Sequence, residues 1–429
     1  MEKSNYTVED FYAFKIKNMW SYFKGQHFSF WMICCYLFVE FVRPQSIIPA
    51  IDILPWAMLF VVLSGIGAFL DRSVKWRSSF ANVLLLLFTF TVISATYITP
   101  IYPEISRKFF MEFFNWIIIY FLVISIVNTK ERFYVFLLIF LVSSAKIAIG
   151  TSKAWALRGF AFKDWGLNGP SGYFQNSGEL AILMLLLFPL AYYLYQFLKE
   201  RIGKWERWFL IVCWVCPILT ILGASSRGAQ VALVVQLAIM FRKSIFKLKP
   251  LIGVILLCAA LFYLLPQEQK DRFSSSGDDK TSQQRLLYWE NGWEMMKEYP
   301  ITGVGYFNFI PYYEDYYRRD MLYPSAQLPH NIFIQVGTDA GFLALFLFIL
   351  IILSALFISW RMSGNRSISP IWNASAKGLG VGVLGFLIAG QFVTVSYYPF
   401  LWINFALIMA LRSICSVDAR DLSIQNAKV

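Results

Sequence analysis

One arginine lies at the start of an apolar segment, in the stretch Ala224-Ser225-Ser226-Arg227-Gly228-Ala229. A guanidinium beside hydrocarbon is costly unless it has a partner, so charged residues in membrane segments are candidates for function. Guanidinium groups bind phosphate oxygens through paired hydrogen bonds, and the small neighbours of Arg227 leave room for a bulky ligand. Arg227 is therefore a candidate phosphate ligand. The alternative is an interfacial arginine whose charge reaches water.

A second candidate is His330, which follows Pro329 before another apolar segment; His27 is the only other histidine. Imidazole is the side chain whose ordinary pKa suits proton transfer near neutral pH. His330 is therefore a candidate general base, and the alternative is a structural histidine. A single histidine argues against a histidine-rich metal site, and we expect no cofactor. A divalent ion bound by carboxylates stays open, because several acidic residues lie nearby in the predicted topology.

The remaining candidates, except Arg158, lie within a polar insertion at 266–330. Within it, we expect a helix that Thr281 or Ser282 caps and that ends near Glu298. Its tyrosine-rich run could stack on sugar rings or form an interfacial aromatic belt. The candidate contacts to a glycan are Tyr312, Tyr313, Tyr316, Arg318 and Arg319 in the insertion, and Arg158 before it. Arg285 is one of seven basic residues in the insertion, and alone it indicates only a solvated charge.

The composition places these residues in a membrane protein. Of 429 residues, 58% are hydrophobic and only 15% are charged, whereas soluble domains carry about 25% charged residues. Continuous apolar runs near 20 residues predict an all-α polytopic protein rather than a barrel, whose strands would alternate. The net charge of +12 is explained by basic loops that set the topology, so we expect no nucleic-acid partner and a lipid bilayer instead.

The apolar runs predict about twelve transmembrane helices. They divide the chain into an N-terminal bundle over 1–265, the insertion over 266–330, and C-terminal helices with a tail over 331–429. The predicted spans are 29–43, 52–70, 79–98, 113–127, 132–150, 178–198, 207–223, 228–241, 250–265, 331–359, 374–395 and 399–412.

The distribution of Lys and Arg predicts the orientation. With a cytoplasmic N-terminus, 23 basic residues fall on the cytoplasmic side and 8 fall outside, if the long insertion is left out of the count. Long insertions barely contribute to the positive-inside rule. Both termini are therefore expected inside, with the insertion, Arg227 and His330 together on the outer face.

The ordered set of polar motifs resembles the bacterial O-antigen ligase and O-antigen polymerase superfamily. The resemblance is strongest over about 220–345. It rests on these segments: Ser225-Ser226-Arg227-Gly228, Gln284-Arg285-Leu286-Leu287-Tyr288-Trp289, Pro300-Ile301-Thr302-Gly303-Val304-Gly305, Asn308-Phe309, His330-Asn331 and Gly337-Thr338-Asp339-Ala340-Gly341.

The resemblance implies a GT-C-type membrane glycosyltransferase that takes a glycan from undecaprenyl diphosphate. It implies a periplasmic active site in the bacterial inner membrane, inversion at the anomeric carbon and no metal. The family's paired arginines correspond to Arg227 and Arg285, and its histidine corresponds to His330. Two guanidinium groups in a partly dehydrated site can stabilise a diphosphate leaving group as a metal does elsewhere.

Three alternatives concern the reaction itself. Phe41-Val42-Arg43-Pro44-Gln45 resembles a subgroup of O-glycosylation ligases found with exosortase systems. For this subgroup, the acceptor would be a protein or another polysaccharide in place of lipid A-core. A polymerase that joins lipid-linked repeat units would use the same donor residues. A non-enzymatic transporter of lipid-linked sugars would need charges through the middle of the bundle, but the polar groups concentrate on one face. That concentration favours an enzyme.

Overall fold

A computed structural model describes residues 6–76, 78–161, 166–245 and 279–426, and these residues contain helices and no strand. The first half comprises α1 Ile16–Lys24, α2 Phe28–Val42, α3 Pro44–Ile47, α4 Trp56–Leu70, α5 Phe80–Tyr97, α6 Pro103–Ile126, α7 Lys130–Leu157, α8 Ser177–Leu198, α9 Lys204–Gly223, α10 Arg227–Met240 and α11 Arg242–Ile245. The second half comprises α12 Lys280–Glu298, α13 Phe309–Tyr316, α14 Ile332–Ser363, α15 Pro370–Ala389 and α16 Pro399–Asn426. Short 3-10 turns occupy Val8–Phe14, Pro49–Ile51 and Arg318–Asp320.

Eight of the described helices are long and apolar enough to cross a membrane, and they are α5, α6, α7, α8, α9, α14, α15 and the segment Pro399–Ser416 of α16. The chain is thus a multi-pass helical membrane protein, as its composition predicts. The expected spans at 52–70 and 228–241 coincide with the shorter apolar helices α4 and α10. The expected span at 250–265 lies outside the described residues. The twelve-span topology, the GT-C class and the three-part division of the chain remain predictions.

Glycines in the bundle allow neighbouring helices to pack closely, backbone against backbone. A methyl group at Gly378 of α15 would lie 2.6 Å from the Leu190 Cα of α8, and one at Gly382 would lie 3.2 Å from the Leu186 Cα. Small residues at four-residue spacing allow this backbone contact, which drives helix association in lipid. Gln236 joins α10 to the pair, because its Nε2 donates to the Leu185 and Val381 carbonyls at 2.8 Å each.

The insertion has a small core of its own. Side chains from α12, α13 and the adjoining turns pack together and are buried: Tyr288, Met295, Val304, Phe309, Tyr312, Tyr313 and Ala326. α12 lies against α14 at two glycines. A methyl group at Gly292 would lie 2.5 Å from the Ile334 Cγ2, and one at Gly337 would lie 2.0 Å from the Met296 Sδ. The glycines therefore hold α12 close to the membrane bundle.

A break in α14 fixes the turn after α12. Gly341 has a φ of +81°, in the left-handed region that favours glycine. The break releases the Phe342 N–H, which donates to the Pro300 carbonyl at 2.8 Å, and the Val304 N–H donates to the Thr338 carbonyl at 2.8 Å. Two motifs about 40 residues apart in sequence therefore meet here and fix the end of α12.

Candidate active site

Arg227 is the first residue of α10, after a sharp link from α9. Ser225 in that link has a φ of +55°, and Ser226 is the residue that precedes the helix. A methyl group at Gly228 would lie 2.5 Å from the Phe392 ring, so only glycine allows the loop between α15 and α16 to come this close. The small residues around Arg227 therefore serve close packing.

The Arg227 guanidinium contacts the N-terminus of α12. Its Nη2 lies 3.2 Å from the Asp279 Oδ2 and 3.4 Å from the Ser282 Oγ. Asp279 caps α12: its Oδ1 accepts from the Ser282 N–H at 3.0 Å and its Oδ2 from the Ser282 hydroxyl at 2.7 Å. Burial opposes ionisation of Asp279, but the Ser282 hydrogen bonds and the Arg227 charge outweigh it and lower its pKa to about 2.

The cap differs from the sequence expectation. We expected Thr281 or Ser282 to cap this helix, but both lie inside it and Asp279 is the cap. Asp279 is the preferred cap because its carboxylate accepts two hydrogen bonds from Ser282 and pairs with Arg227. Asp279 follows the run Ser274-Ser275-Ser276-Gly277-Asp278, so its residue type alone does not single it out as the cap.

Arg285 follows Ser282 by about one helical turn and lies on the same side of α12. Its Nε is buried and has no hydrogen-bond partner among the described residues. Burial, followed by the Arg227 charge, lowers the pKa of Arg285, while Asp279 and Tyr323 oppose this shift. Two guanidinium groups therefore lie near each other in a partly dehydrated place. Because a buried donor without a partner is costly, this arrangement favours an anionic ligand.

His330 is held in a left-handed conformation with a φ of +51°. Its N–H donates to the Thr394 hydroxyl at 2.8 Å, and the preceding Pro329 carbonyl accepts from the Trp289 Nε1 at 2.9 Å. The following Asn331 caps α14. α12, α14 and the loop before α16 therefore all fix the position of this histidine.

The surroundings of the His330 imidazole keep this ring neutral. Burial, with the Arg285 charge as a second cause, lowers the His330 pKa to about 4. Its Nε2 lies 3.2 Å from the Gln327 Oε1. The mutual charge effects also connect Arg227 to Arg285 and Arg285 to His330. The structure thus brings together the three residues that the sequence singled out.

The tyrosine run has two different environments. Tyr312 and Tyr313 are only 1% and 0% exposed and belong to the core of the insertion. Stacking of a sugar on these two rings would require that core to open. Tyr316 is 65% exposed, and Arg318 and Arg319 are exposed next to it. These three side chains, unlike the first two, are accessible to a ligand.

Arg158 lies apart from the insertion, at the end of α7, where its side chain is exposed. It lines a groove with residues of α7 and of the loop at 166–170. Two further charged residues of this predicted outer loop, Lys163 and Asp164, lie outside the described residues.

Several residues that the motif pattern did not indicate support the site. Thr394 and Gln327 contact His330, and Asp279 contacts Arg227. Phe392 packs near the Trp289 ring, with 6.3 Å between the ring centroids. These residues are polar or aromatic residues of ordinary loops, so their types alone give no signal of their positions.

A family model described as O-antigen ligase matches residues 210–349. Residues 210–349 belong to the O-antigen ligase family. This O-antigen ligase domain contains Arg227, Arg285 and His330, together with the glycine motifs that fix α12. A second model, a family of unknown function (DUF5935), matches residues 13–199. No curated protein matches the chain. This match supports a membrane enzyme of the ligase and polymerase type.

Proposed function

We propose that this protein transfers a glycan from undecaprenyl diphosphate to an acceptor hydroxyl at the periplasmic face of the bacterial inner membrane. One observation carries the proposal: Arg285, with a buried Nε that lacks a partner among the described residues, lies within electrostatic reach of the Arg227 guanidinium and of a histidine with a lowered pKa. A diphosphate leaving group requires positive charge, and an attacking hydroxyl requires a base. Both requirements meet in one place.

Arg227 and Arg285 would bind the diphosphate oxygens of the donor. Without donor, the Asp279 carboxylate pairs with Arg227 at 3.2 Å. The incoming diphosphate carries more negative charge than this carboxylate and would displace it from Arg227. Since the Arg285 Nε is buried, its hydrogen bond to phosphate would form in a low dielectric, where it is strongest. The arginines would thereby stabilise the charge that develops on the leaving diphosphate without a metal.

His330 would accept the proton of the acceptor hydroxyl. With its Nε2–H donating to the Gln327 Oε1, the lone pair of Nδ1 is available for this proton. The acceptor oxygen attacks the anomeric carbon from the face opposite the diphosphate and a new glycosidic bond forms. The bond between this carbon and the diphosphate oxygen breaks, and the diphosphate leaves with the electron pair. The configuration inverts, and His330 later returns the proton to water.

The acceptor would approach from the insertion. Tyr316, Arg318 and Arg319 are exposed there and could contact a glycan. Two reactions would use the same donor-binding residues, Arg227 and Arg285, and differ in the acceptor. A ligase transfers the glycan to a distinct lipid, protein or polysaccharide, whereas a polymerase transfers it to another lipid-linked unit. For either reaction, the predicted topology has both termini in the cytoplasm and the active site in the periplasm.

Incubation of the purified protein with a lipid-linked oligosaccharide separates the two reactions. We expect no product with the donor alone and one transfer product once a distinct acceptor is added. A ladder of longer lipid-linked products with donor alone would show a polymerase. Activity that disappears with a chelator and returns with Mg²⁺ would contradict the role of the arginines in place of a metal.

A further inference from the structure

A groove of about 510 Å³ lies on the outer half of α7, and its lining contains none of the three active-site residues. The loop at 166–170 forms its other wall. Its lining consists of Lys146, Ile147, Gly150, Thr151, Ala154, Arg158, Gly166, Leu167, Asn168, Gly169 and Pro170. Among these described residues there are two basic side chains and no carboxylate.

The groove follows one face of α7. Lys146, Gly150, Ala154 and Arg158 are spaced four residues apart, so they lie along the same side of the helix. The two small residues form the floor, and a methyl group at Gly150 would have no atom within 4 Å. Lys146 and Arg158 stand at the two ends, about 18 Å apart along the axis at 1.5 Å per residue.

A short neighbouring helix leaves this face uncovered. α2 has 15 residues, about 22 Å in length, which is less than the ~30 Å hydrocarbon core. It ends where Arg43 adopts a φ of +52° and Pro44 follows. The Lys146 Nζ donates to the Val42 carbonyl at 3.0 Å, so the lysine lies at the level where α2 ends. The outer part of α7 therefore lacks the cover that a full-length α2 would give.

A third basic side chain flanks the groove. A methyl group at Gly172 would lie 2.1 Å from the Arg43 Nη1, so this guanidinium packs directly on the backbone of the loop that continues from 166–170. The Arg43 Nε is buried and has no hydrogen-bond partner in the described part of the chain. Arg43 belongs to the motif at 41–45, which the transfer reaction leaves without a role.

We propose that this groove binds the phosphate headgroup of an anionic lipid from the outer leaflet, separately from the donor site at Arg227 and Arg285. The basic residues would pair with the negative charge of a phosphate. The apolar and small residues between them would contact the first part of an acyl chain. A lysine at membrane depth is costly without an anion nearby, and a lipid phosphate supplies one. The leaflet follows from the predicted orientation, and the binding itself does not depend on glycan transfer.

The test uses the full-length protein in nanodiscs of phosphatidylcholine with a minor fraction of phosphatidylglycerol, and native mass spectrometry to count retained lipids. We expect the double variant Lys146→Gln/Arg158→Gln to lose roughly tenfold or more in phosphatidylglycerol affinity. Gly150→Leu, which fills the floor and keeps both charges, is expected to lose phosphatidylglycerol as well. Lys153→Gln is the matched control, because Lys153 is an exposed lysine of α7 outside the groove.

Three results would overturn the proposal. The first is equal phosphatidylglycerol retention by the double variant and the wild type. The second is an equal loss of phosphatidylcholine, which would show a groove without headgroup preference. The third is displacement of the lipid by millimolar inorganic phosphate, which would show a site for the free anion. Glycan transfer measured on the same samples reports on the proposed reaction, so the two proposals can fail independently.

Discussion

The two helices of the insertion, α12 and α13, use similar residue types in different ways. α12 places Arg285 near Arg227 and His330, with its Nε buried and without a hydrogen-bond partner in the described chain. α13 directs Tyr312 and Tyr313 into a core, and the arginines that follow it are exposed. A polar or aromatic residue thus becomes a site residue through its burial and its partners, and the residue type alone does not decide this.

The largest expected effect is on His330. His330→Ala should lower the rate of glycan transfer by about 10²–10⁴-fold, because the attacking hydroxyl loses its base. Radiolabelled or fluorescent donor in proteoliposomes gives this rate. His27→Ala is the control, since it removes the other histidine, at the N-terminal end of α2. Normal transfer by His330→Ala would end the base assignment.

The tyrosines of α13 test the other side of the comparison. Tyr313→Ala should destabilise the protein by ~3–5 kcal/mol, as other large-to-small core changes do, because the ring is fully buried and its hydroxyl accepts from the Asn291 Nδ2 at 2.9 Å. Tyr316→Ala, at an exposed position, should change stability by less than ~0.5 kcal/mol. Thermal unfolding of both variants in detergent gives the values. Equal losses would remove the distinction between buried and exposed tyrosines.

The pH dependence of the transfer rate on the acidic side should report the environment of His330. A pKa of about 4 keeps the imidazole neutral, and competent as a base, as the pH falls through the ordinary histidine range near ~6.5. Protonation then removes activity only near pH 4. NMR of histidine-labelled protein carrying His27→Gln isolates this single imidazole. Arg285→Gln should raise its pKa, because one of the two causes is removed. A titration near ~6.5 in the His27→Gln protein would contradict the lowered pKa of His330.

Asp279→Asn should produce the smallest effect. Asparagine still caps a helix well, so α12 should remain folded, but the charge pair with Arg227 at 3.2 Å is lost. Because the donor no longer competes with a carboxylate, we expect its KM to fall severalfold, with a small change in kcat. A rise in KM would mean that Asp279 positions Arg227 for the donor and does not compete with it.

The sequence predicted the parts of the molecule that follow from local pattern. Most helices coincide with apolar runs. Arg285 lies within electrostatic reach of both Arg227 and His330, and the roles that the resemblance gives these residues stay a prediction. The tyrosine run shows the limit of this reasoning. Tyr312 and Tyr316 are four residues apart on one helix and their rings stack at 4.4 Å, yet only the first is buried. Burial there depends on α12 and the turn before it, which are distant contacts that no local pattern contains.

The α7 groove shows the same limit. Lys146 and Arg158 are ordinary basic residues of a long helix in sequence. Their common groove exists because α2 ends early and the loop at 166–170 packs back. Gly166 in that loop shows the packing: a methyl group there would lie 2.1 Å from the Ala224 carbonyl oxygen. Such a tertiary contact, between segments almost 60 residues apart, has no signature in either segment alone.

The most direct test of the paired-arginine site is the affinity of the purified protein for undecaprenyl diphosphate. Arg285→Gln should weaken binding by about 10- to 100-fold, as expected for a lost hydrogen-bonded charge pair of ~1.5–3 kcal/mol. Lys297→Gln is the matched control, because this exposed lysine lies on the same helix and pairs with Glu294 in a surface contact of 2.6 Å. Wild-type affinity in Lys297→Gln and a loss in Arg285→Gln are the predicted results. Equal affinity in all three proteins would contradict a diphosphate site at Arg227 and Arg285.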